Sequence, residues 1–285
     1  MILNTHVRCA VQLSCIHFIP SSSLFKTMQT RRLSAILRPL GLLLCFTFAS
    51  LVHGKGETDE LIKQGEVFDS KFEPEKALEF YLPAEKLEPE NVDLLLRIAR
   101  QYRHLMQDAS KTDDKMKCGE LAKQYAARAI KLAPNESETH LSMAICHAKM
   151  VPILGTKERL EASKELKSEV DKALALDPKK DQAWHILGCW HQRLADIGTV
   201  KRAIASIVYG GLPDATNEES VKCLQKAIDL NPDNLIHYIE LGRTYAQMGK
   251  NEDAKKLIEK GLAMPDKAKD DPEVKKMGRE TLGKL

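Results

Sequence analysis

The sequence is poor in aromatic residues and has no apolar run long enough to span a bilayer as a helix. Phenylalanine, tryptophan and tyrosine make up 5% of the 285 residues, whereas alanine, leucine, lysine and glutamate are common. This composition disfavours an all-β protein and favours helices. With 43% hydrophobic residues the chain can form a sizeable core, and its 43 basic and 40 acidic side chains nearly balance. Nucleic-acid binding is therefore not expected.

The first 56 residues contain no aspartate or glutamate, which sets them apart from the rest of the chain. They hold six Lys and Arg residues, three of them between positions 31 and 38, shortly before the apolar stretch Leu40–Val52. A basic flank, a short apolar stretch and a small residue at Gly54 are typical of a secretory signal peptide or signal anchor starting at Met28. Arginines and serines without acids are also typical of a mitochondrial presequence. We predict that residues 1–56 are a targeting segment outside the fold, unless they are an upstream extension of a cytosolic chain.

Motifs for catalysis, metal binding and cofactor binding are missing from the sequence. It has no P-loop and no G-x-G-x-x-G, G-x-S-x-G or H-E-x-x-H motif. Its seven cysteines include no C-x-x-C pair, and the four beyond residue 56 are not spaced like metal ligands. These four are Cys118, Cys146, Cys189 and Cys223. The sequence therefore predicts a non-enzymatic protein with no catalytic residue, no metal and no cofactor.

Four short phrases recur: LEPEN from residue 87, LAPNE from 132, LDPKK from 176 and LNPDN from 230. Each phrase is typical of the end of a helix followed by a turn. Ten residues after each proline lies a small residue at which two helices can approach closely, namely Ala99, Ala144, Gly188 and Gly242. The residues twelve positions before each proline, at 77, 122, 166 and 220, mark a second helix in each unit. This pattern is that of tetratricopeptide repeats, so we predict an all-α, tetratricopeptide-like, right-handed superhelix of about five helix pairs.

The phase of the repeat predicts where the domain and its units lie. The domain covers residues 58–285, and its first and fifth units have the usual length of about 34 residues. The middle three units are longer by about 11, 10 and 20 residues, which we expect between the two helices of each unit. A charged stretch from Asp271 to Leu285 predicts a terminal capping helix. The predicted units are residues 58–91, 92–136, 137–180, 181–234 and 235–268.

The second half of the chain resembles the regulator of microtubule dynamics family. The segments that carry the likeness are Trp184–Trp190, the insert Lys201–Leu212, the turn Gly211–Thr216, Lys226–Pro232 and Leu241–Tyr245. The resemblance implies a non-enzymatic helical binding protein that is associated in animals with microtubules, spindle poles and mitochondria. In one branch of the family it implies lipid binding at organelle contacts. If the targeting segment is not used, it implies microtubule association in the cytoplasm.

Counting along the first helix of each unit predicts which side chains line the inner face of the superhelix. They form an apolar floor ringed by basic groups, which suits an acidic protein segment such as a tubulin tail, or an anionic phospholipid. Arginine fits both because it presents paired donors to carboxylate or phosphate. The alternative is that these are ordinary solvated charges. The predicted groove residues are Arg100, Arg103, Leu141, Ile145, Lys149, Arg193, Ile239 and Arg243.

Two apolar stretches predict a further feature of the middle units. The insert at 200–212 places Ile204, Ile207 and Val208 on one helical face, and residues 151–154 are Val-Pro-Ile-Leu. Each stretch either packs against its own unit or roofs a pocket able to hold a lipid chain. The sequence thus favours a non-catalytic helical-repeat binding scaffold, with a lipid-binding or lipid-transfer module at membrane contact sites as the alternative.

Overall fold

The computed structural model describes residues 56–198, 207 and 211–285, and the regular structure in these ranges is helical. No helix in them is both long enough and apolar enough to cross a membrane. A short 3₁₀ turn, Val151–Ile153, follows α5. The helices are α1 (56–69), α2 (Pro74–Leu87), α3 (Val92–Asp108), α4 (Thr112–Leu132), α5 (Ser137–Met150), α6 (Thr156–Leu176), α7 (Asp181–Ala195), α8 (Asn217–Leu230), α9 (Leu235–Gln247), α10 (Asn251–Ala263) and α11 (Asp271–Leu282).

The recurring proline phrases separate one helix pair from the next. The second helices α2, α4, α6 and α8 all end at the leucine of a phrase, namely Leu87, Leu132, Leu176 and Leu230. Two phrases also supply the N-cap of the next helix, because the side chains of Asn91 and Asn234 accept backbone N–H groups of α3 and α9. The described helices confirm the predicted all-α fold, with pairs α1–α2, α3–α4, α5–α6, α7–α8 and α9–α10.

Small residues let the two helices of a pair approach closely. In the fourth pair, a Cβ atom added to Gly188 of α7 would lie 2.6 Å from the Cγ atom of Leu224 in α8. Ala99 and Ala144 hold the same repeat position in α3 and α5, and both are fully buried. The helix contacts therefore depend on the lack of side-chain volume at this position.

The added length of the second and third units is mostly helical. Helices α4 and α6 each have 21 residues, against 14 in α2 and α8. The sequence led us to expect these residues between the two helices, but most of them add about two turns to the start of the second helix. The start of α6 buries Leu160 and Ala162, which favours helix over an exposed loop. The insert of the fourth unit was predicted at residues 200–212, of which only Ile207, Gly211 and Leu212 are described.

The last helix, α11, covers the fifth pair. Its Gly278 is buried against both α9 and α10, since an added Cβ atom would lie 3.1 Å from the side chains of Ile239 and Ile258. The neighbouring Lys276 and Arg279 are exposed. One face of α11 is therefore packed and the other is solvated, as expected for the end of a repeat array.

Candidate ligand-binding site

A cavity of about 830 Å³ opens between the third and fourth helix pairs. Its walls come mainly from the end of α5, the 3₁₀ turn, the start of α6 and one side of α7. Most of the side chains that form these walls are apolar. They include Ile145, Ala148, Val151, Pro152, Leu160, Ile186, Trp190 and Leu194.

The additional turns of α6 create one wall of the cavity. Thr156 and Leu160, from these first turns, both line the space. The indole of Trp190 lies between α6 and α7, because its Nε1–H donates to the carbonyl and hydroxyl oxygens of Ser163, each at 3.0 Å. The longer second helix of this unit therefore enlarges the surface that encloses the cavity.

Among the described residues, three lysine and arginine side chains line the cavity, and two of them have partners within the chain. Arg159 donates to the backbone carbonyls of Val151 and Leu154 at 3.1 and 3.0 Å, so it fastens the 3₁₀ turn to α6. Lys149, near the end of α5, contacts the two carboxylate oxygens of Asp270 at 2.7 and 2.9 Å. Each of these charges is already used to hold the walls in place.

The third basic side chain, Arg193 of α7, lines the cavity without an ion pair to any described residue. Its positive charge contributes to lowering the pKa of His185, which is a neighbouring cavity residue. A guanidinium group presents several donors in one plane and suits a carboxylate or phosphate. Arg193 is therefore the group in the described cavity wall that is best placed to receive a ligand anion.

A hydrogen-bonded chain of side chains connects α7 and α9 beside the cavity. Nε2 of His237 donates to Oδ2 of Asp181 at 3.0 Å, and Nδ1 of His237 lies 3.0 Å from Nδ1 of His185. Nε2 of His185 in turn lies 3.5 Å from the thiol sulfur of Cys189. Every ring nitrogen of the two histidines therefore has a hydrogen-bond partner.

Burial sets the protonation states in this network. It lowers the pKa of His185 well below the usual range, and it raises the pKa of the Cys189 thiol. Burial also raises the pKa of Asp181, but hydrogen bonds from His237 and Asn231 bring it down to about 2. The thiol therefore stays protonated at neutral pH, and the network supports the cavity wall rather than forming an activated nucleophile.

The predicted groove arginines do not form one free basic patch. Arg193 lines the cavity, whereas Arg100, Arg103 and Arg243 have partners within the chain. These partners are Asp69 for Arg100, the hydroxyl of Ser142 for the buried Arg103, and Glu240 for Arg243. Carboxylates thus compensate the charges of Arg100 and Arg243, and a neutral hydroxyl hydrogen-bonds Arg103. Counting along single helices does not reveal these contacts.

The predicted apolar floor is divided between the core and the cavity. Leu141 and Ile239 are 1% and 0% exposed, so they pack between helices and offer no surface to a ligand. Ile145 does line the cavity, as does Lys149. Counting along single helices placed Leu141 and Ile239 on the inner surface, whereas both side chains are buried between helices.

The predicted apolar pocket also has a divided outcome. Val151 and Pro152, from the stretch at 151–154, line the cavity. In the insert of the fourth unit, Ile207 is 86% exposed and does not line it. Ile204 and Val208 lie outside the described residues.

Several cavity residues were not identified from the sequence. No periodic signal pointed to Leu160, because it lies six residues before Leu166 and therefore on another side of the helix than the repeat landmarks. No local signal joins Asp270 to Lys149, which lies 121 residues away in the chain. Contacts between such distant residues depend on how the helix pairs pack together.

Five helix pairs with small residues at their crossings define a tetratricopeptide-like helical-repeat protein, and solved structures agree. A thermophilic tetratricopeptide protein of Thermus thermophilus superposes with a TM-score of 0.59 at 14% identity, covering 79% of this chain and 98% of that chain. PilW, a type IV pilus biogenesis factor, gives a TM-score of 0.52 at 16% identity over 79% of this chain and 86% of that chain. These likenesses confirm the predicted superhelical fold.

The family described as Regulator of microtubule dynamics protein 1-3 matches residues 57–285, and the chain belongs to this family. Regulator of microtubule dynamics protein 1 of Mus musculus is 25% identical over 236 residues, which cover 82% of this chain and 77% of the relative. Protein 2 of Homo sapiens is 24% identical and covers 69% of this chain and 48% of the relative. The resemblance seen in the sequence is confirmed, and family and fold together indicate a helical-repeat scaffold rather than an enzyme.

Proposed function

We propose that this chain is a non-catalytic scaffold that binds an anionic amphiphile, such as an acidic phospholipid, in the cavity between α5, α6 and α7. The observation that carries the proposal is the apolar cavity of about 830 Å³ with Arg193 in its wall. The apolar chain of the ligand lies among the aliphatic side chains, and its head group meets the guanidinium group.

The size and lining of the cavity favour an acyl chain over a peptide. Small-molecule pockets typically measure about 300–1,000 Å³ and have mostly apolar walls with a few polar groups. Burial of apolar ligand surface against Ile145, Leu160 and Leu194 contributes about 25 cal/mol per Å². A peptide backbone placed there would lose hydrogen bonds to water, which aliphatic side chains cannot replace.

Arg193→Gln is expected to weaken the binding of an anionic lipid by about tenfold, because it removes a charge-assisted hydrogen bond. Fluorescent phosphatidic acid is titrated against the parent and the variant, and fluorescent diacylglycerol serves as the uncharged comparison. The affinity for diacylglycerol should stay the same, since Arg193 contributes to head-group binding alone. Arg279→Gln is the matched control, because Arg279 is exposed on α11 and does not line the cavity.

Equal loss of both lipids in Arg193→Gln would mean that the variant damages the cavity rather than a head-group contact. Absence of phosphatidic acid binding by the parent protein would contradict the proposed function itself.

An acidic protein segment, such as a tubulin tail, is the second candidate ligand. Membership in a family of microtubule dynamics regulators supports it, as do the basic side chains Lys149 and Arg193, which both line the cavity. A glutamate-rich peptide titrated against the same variants tests this candidate, and its affinity should fall as salt rises. Peptide binding that is lost in Arg193→Gln, together with no binding of either lipid, would favour this candidate over the first.

A further inference from the structure

A short linker between α10 and α11 reaches back to the first helix pairs. We call this linker, residues 264–270, the strap. Nζ of Lys269 contacts Oδ2 of Asp108 at the end of α3 at 2.7 Å, and it donates to the backbone carbonyl of Phe72 at 3.3 Å. Phe72 belongs to the turn between α1 and α2. The strap therefore joins the C-terminal end of the superhelix to its first two pairs.

The next residue of the strap, Asp270, reaches the cavity. Both its carboxylate oxygens contact Nζ of Lys149, at 2.7 and 2.9 Å, and both residues line the cavity. The carboxylate of Asp270 is thus paired with the Lys149 ammonium group, which could otherwise bind the anionic head group of a ligand. The two side chains remain 25% and 42% exposed, so a ligand can reach this pair from solvent.

The rest of the strap is held independently of the pair between Asp270 and Lys149. Oδ2 of Asp271 accepts the backbone N–H groups of Lys267 and Ala268 at 2.7 and 2.8 Å. Asp271 itself is 2% exposed. The carboxylate of Asp270 can therefore leave Lys149 by rotation of its own side chain toward solvent, while these backbone contacts stay in place.

We infer that Lys149 is a second contact for the anionic head group of the ligand, in addition to Arg193, and that Asp270 is an internal carboxylate which this head group replaces. This inference rests on the proposed amphiphile function, and it adds the chemistry of the exchange: the carboxylate or phosphate of the ligand takes the place of the Asp270 carboxylate on the Lys149 ammonium group. Occupation of the cavity therefore releases the strap from α5.

The first test measures competition between Asp270 and the ligand. Asp270→Asn is expected to bind cis-parinaric acid about fivefold more tightly than the parent, because the ligand no longer displaces a partly exposed ion pair. Binding of cis-parinaric acid methyl ester, which has no charge, should be unchanged. Asp266→Asn is the matched control, since Asp266 belongs to the strap but pairs with Lys275 outside the cavity.

Lys149→Gln completes the cycle. It should weaken binding of the acid and leave Asp270→Asn without effect when the two changes are combined. Unchanged or weaker acid binding by Asp270→Asn would overturn the exchange, even where the parent binds both probes as the proposed function requires. Failure of the parent to bind either probe would overturn the exchange and the proposed function together.

The second test asks whether the anion alone is enough. In the parent, inorganic phosphate should not displace cis-parinaric acid, because it lacks the apolar chain that fills the cavity. Displacement by phosphate would identify a free anion as the ligand and overturn the exchange with an amphiphile.

Discussion

Replacement of Gly188 by leucine is expected to lower the free energy of unfolding by about 3 kcal/mol. An added Cβ atom would lie 2.6 and 3.0 Å from the Cγ and Cδ2 atoms of Leu224, and 3.3 Å from its backbone nitrogen. The side chain of Leu224 is fully buried, so it has little room to move aside. Helices α7 and α8 must therefore separate to accept the new side chain. Urea unfolding followed by circular dichroism measures the loss.

Gly198→Leu is the control for the intrinsic effect of the substitution. Apart from its chain neighbours, no described residue has an atom within 4 Å of a Cβ atom added at Gly198, so the free energy of unfolding should change by less than about 0.5 kcal/mol. Equal stability of the two variants would show that α7 and α8 do not cross at Gly188.

Acidification from pH 7 to pH 4 is expected to remove about 2–3 kcal/mol of stability through His104 alone. Burial, followed by the positive charges of Arg103 and Lys269, lowers the pKa of His104 to about 4, against the opposing effect of Asp270 and Asp69. The unfolded chain takes up a proton at this histidine below about pH 6.5, whereas the folded chain does so only near pH 4. Stability is therefore lost as the pH falls through this window.

His104→Gln should reduce this loss, because glutamine does not titrate. The measurement is the difference in unfolding free energy between pH 7 and pH 4 for the parent and the variant. Burial also lowers the pKa of His147 and His191, so part of the acid sensitivity should remain in the variant. The same pH dependence in both proteins would contradict a buried neutral His104.

Local, periodic signals explain why the fold could be predicted. The leucine of each proline phrase ends a helix, and the small residue ten positions after each proline lies at a helix crossing, as Gly188 and Ala144 illustrate. These signals depend on helix geometry and recur with the repeat, so each unit supports the others.

The candidate site could be predicted only in part, because its charges are decided by contacts between units. Arg243 lies on the predicted face, but Glu240 on the same helix neutralises it. Asp270 reaches Lys149 only because the strap returns across the superhelix. The cavity wall formed by Leu160 arises from two additional turns of α6, which a fixed 34-residue repeat does not contain.

Native mass spectrometry of the protein after equilibration with phosphatidic acid tests most directly whether the cavity binds an amphiphile. The parent should retain one lipid molecule per chain. Ala148→Trp should retain none, because Ala148 lines the cavity and an indole there would fill the space of the acyl chain. Equal retention by parent and variant, or no retained lipid in the parent, would contradict the account.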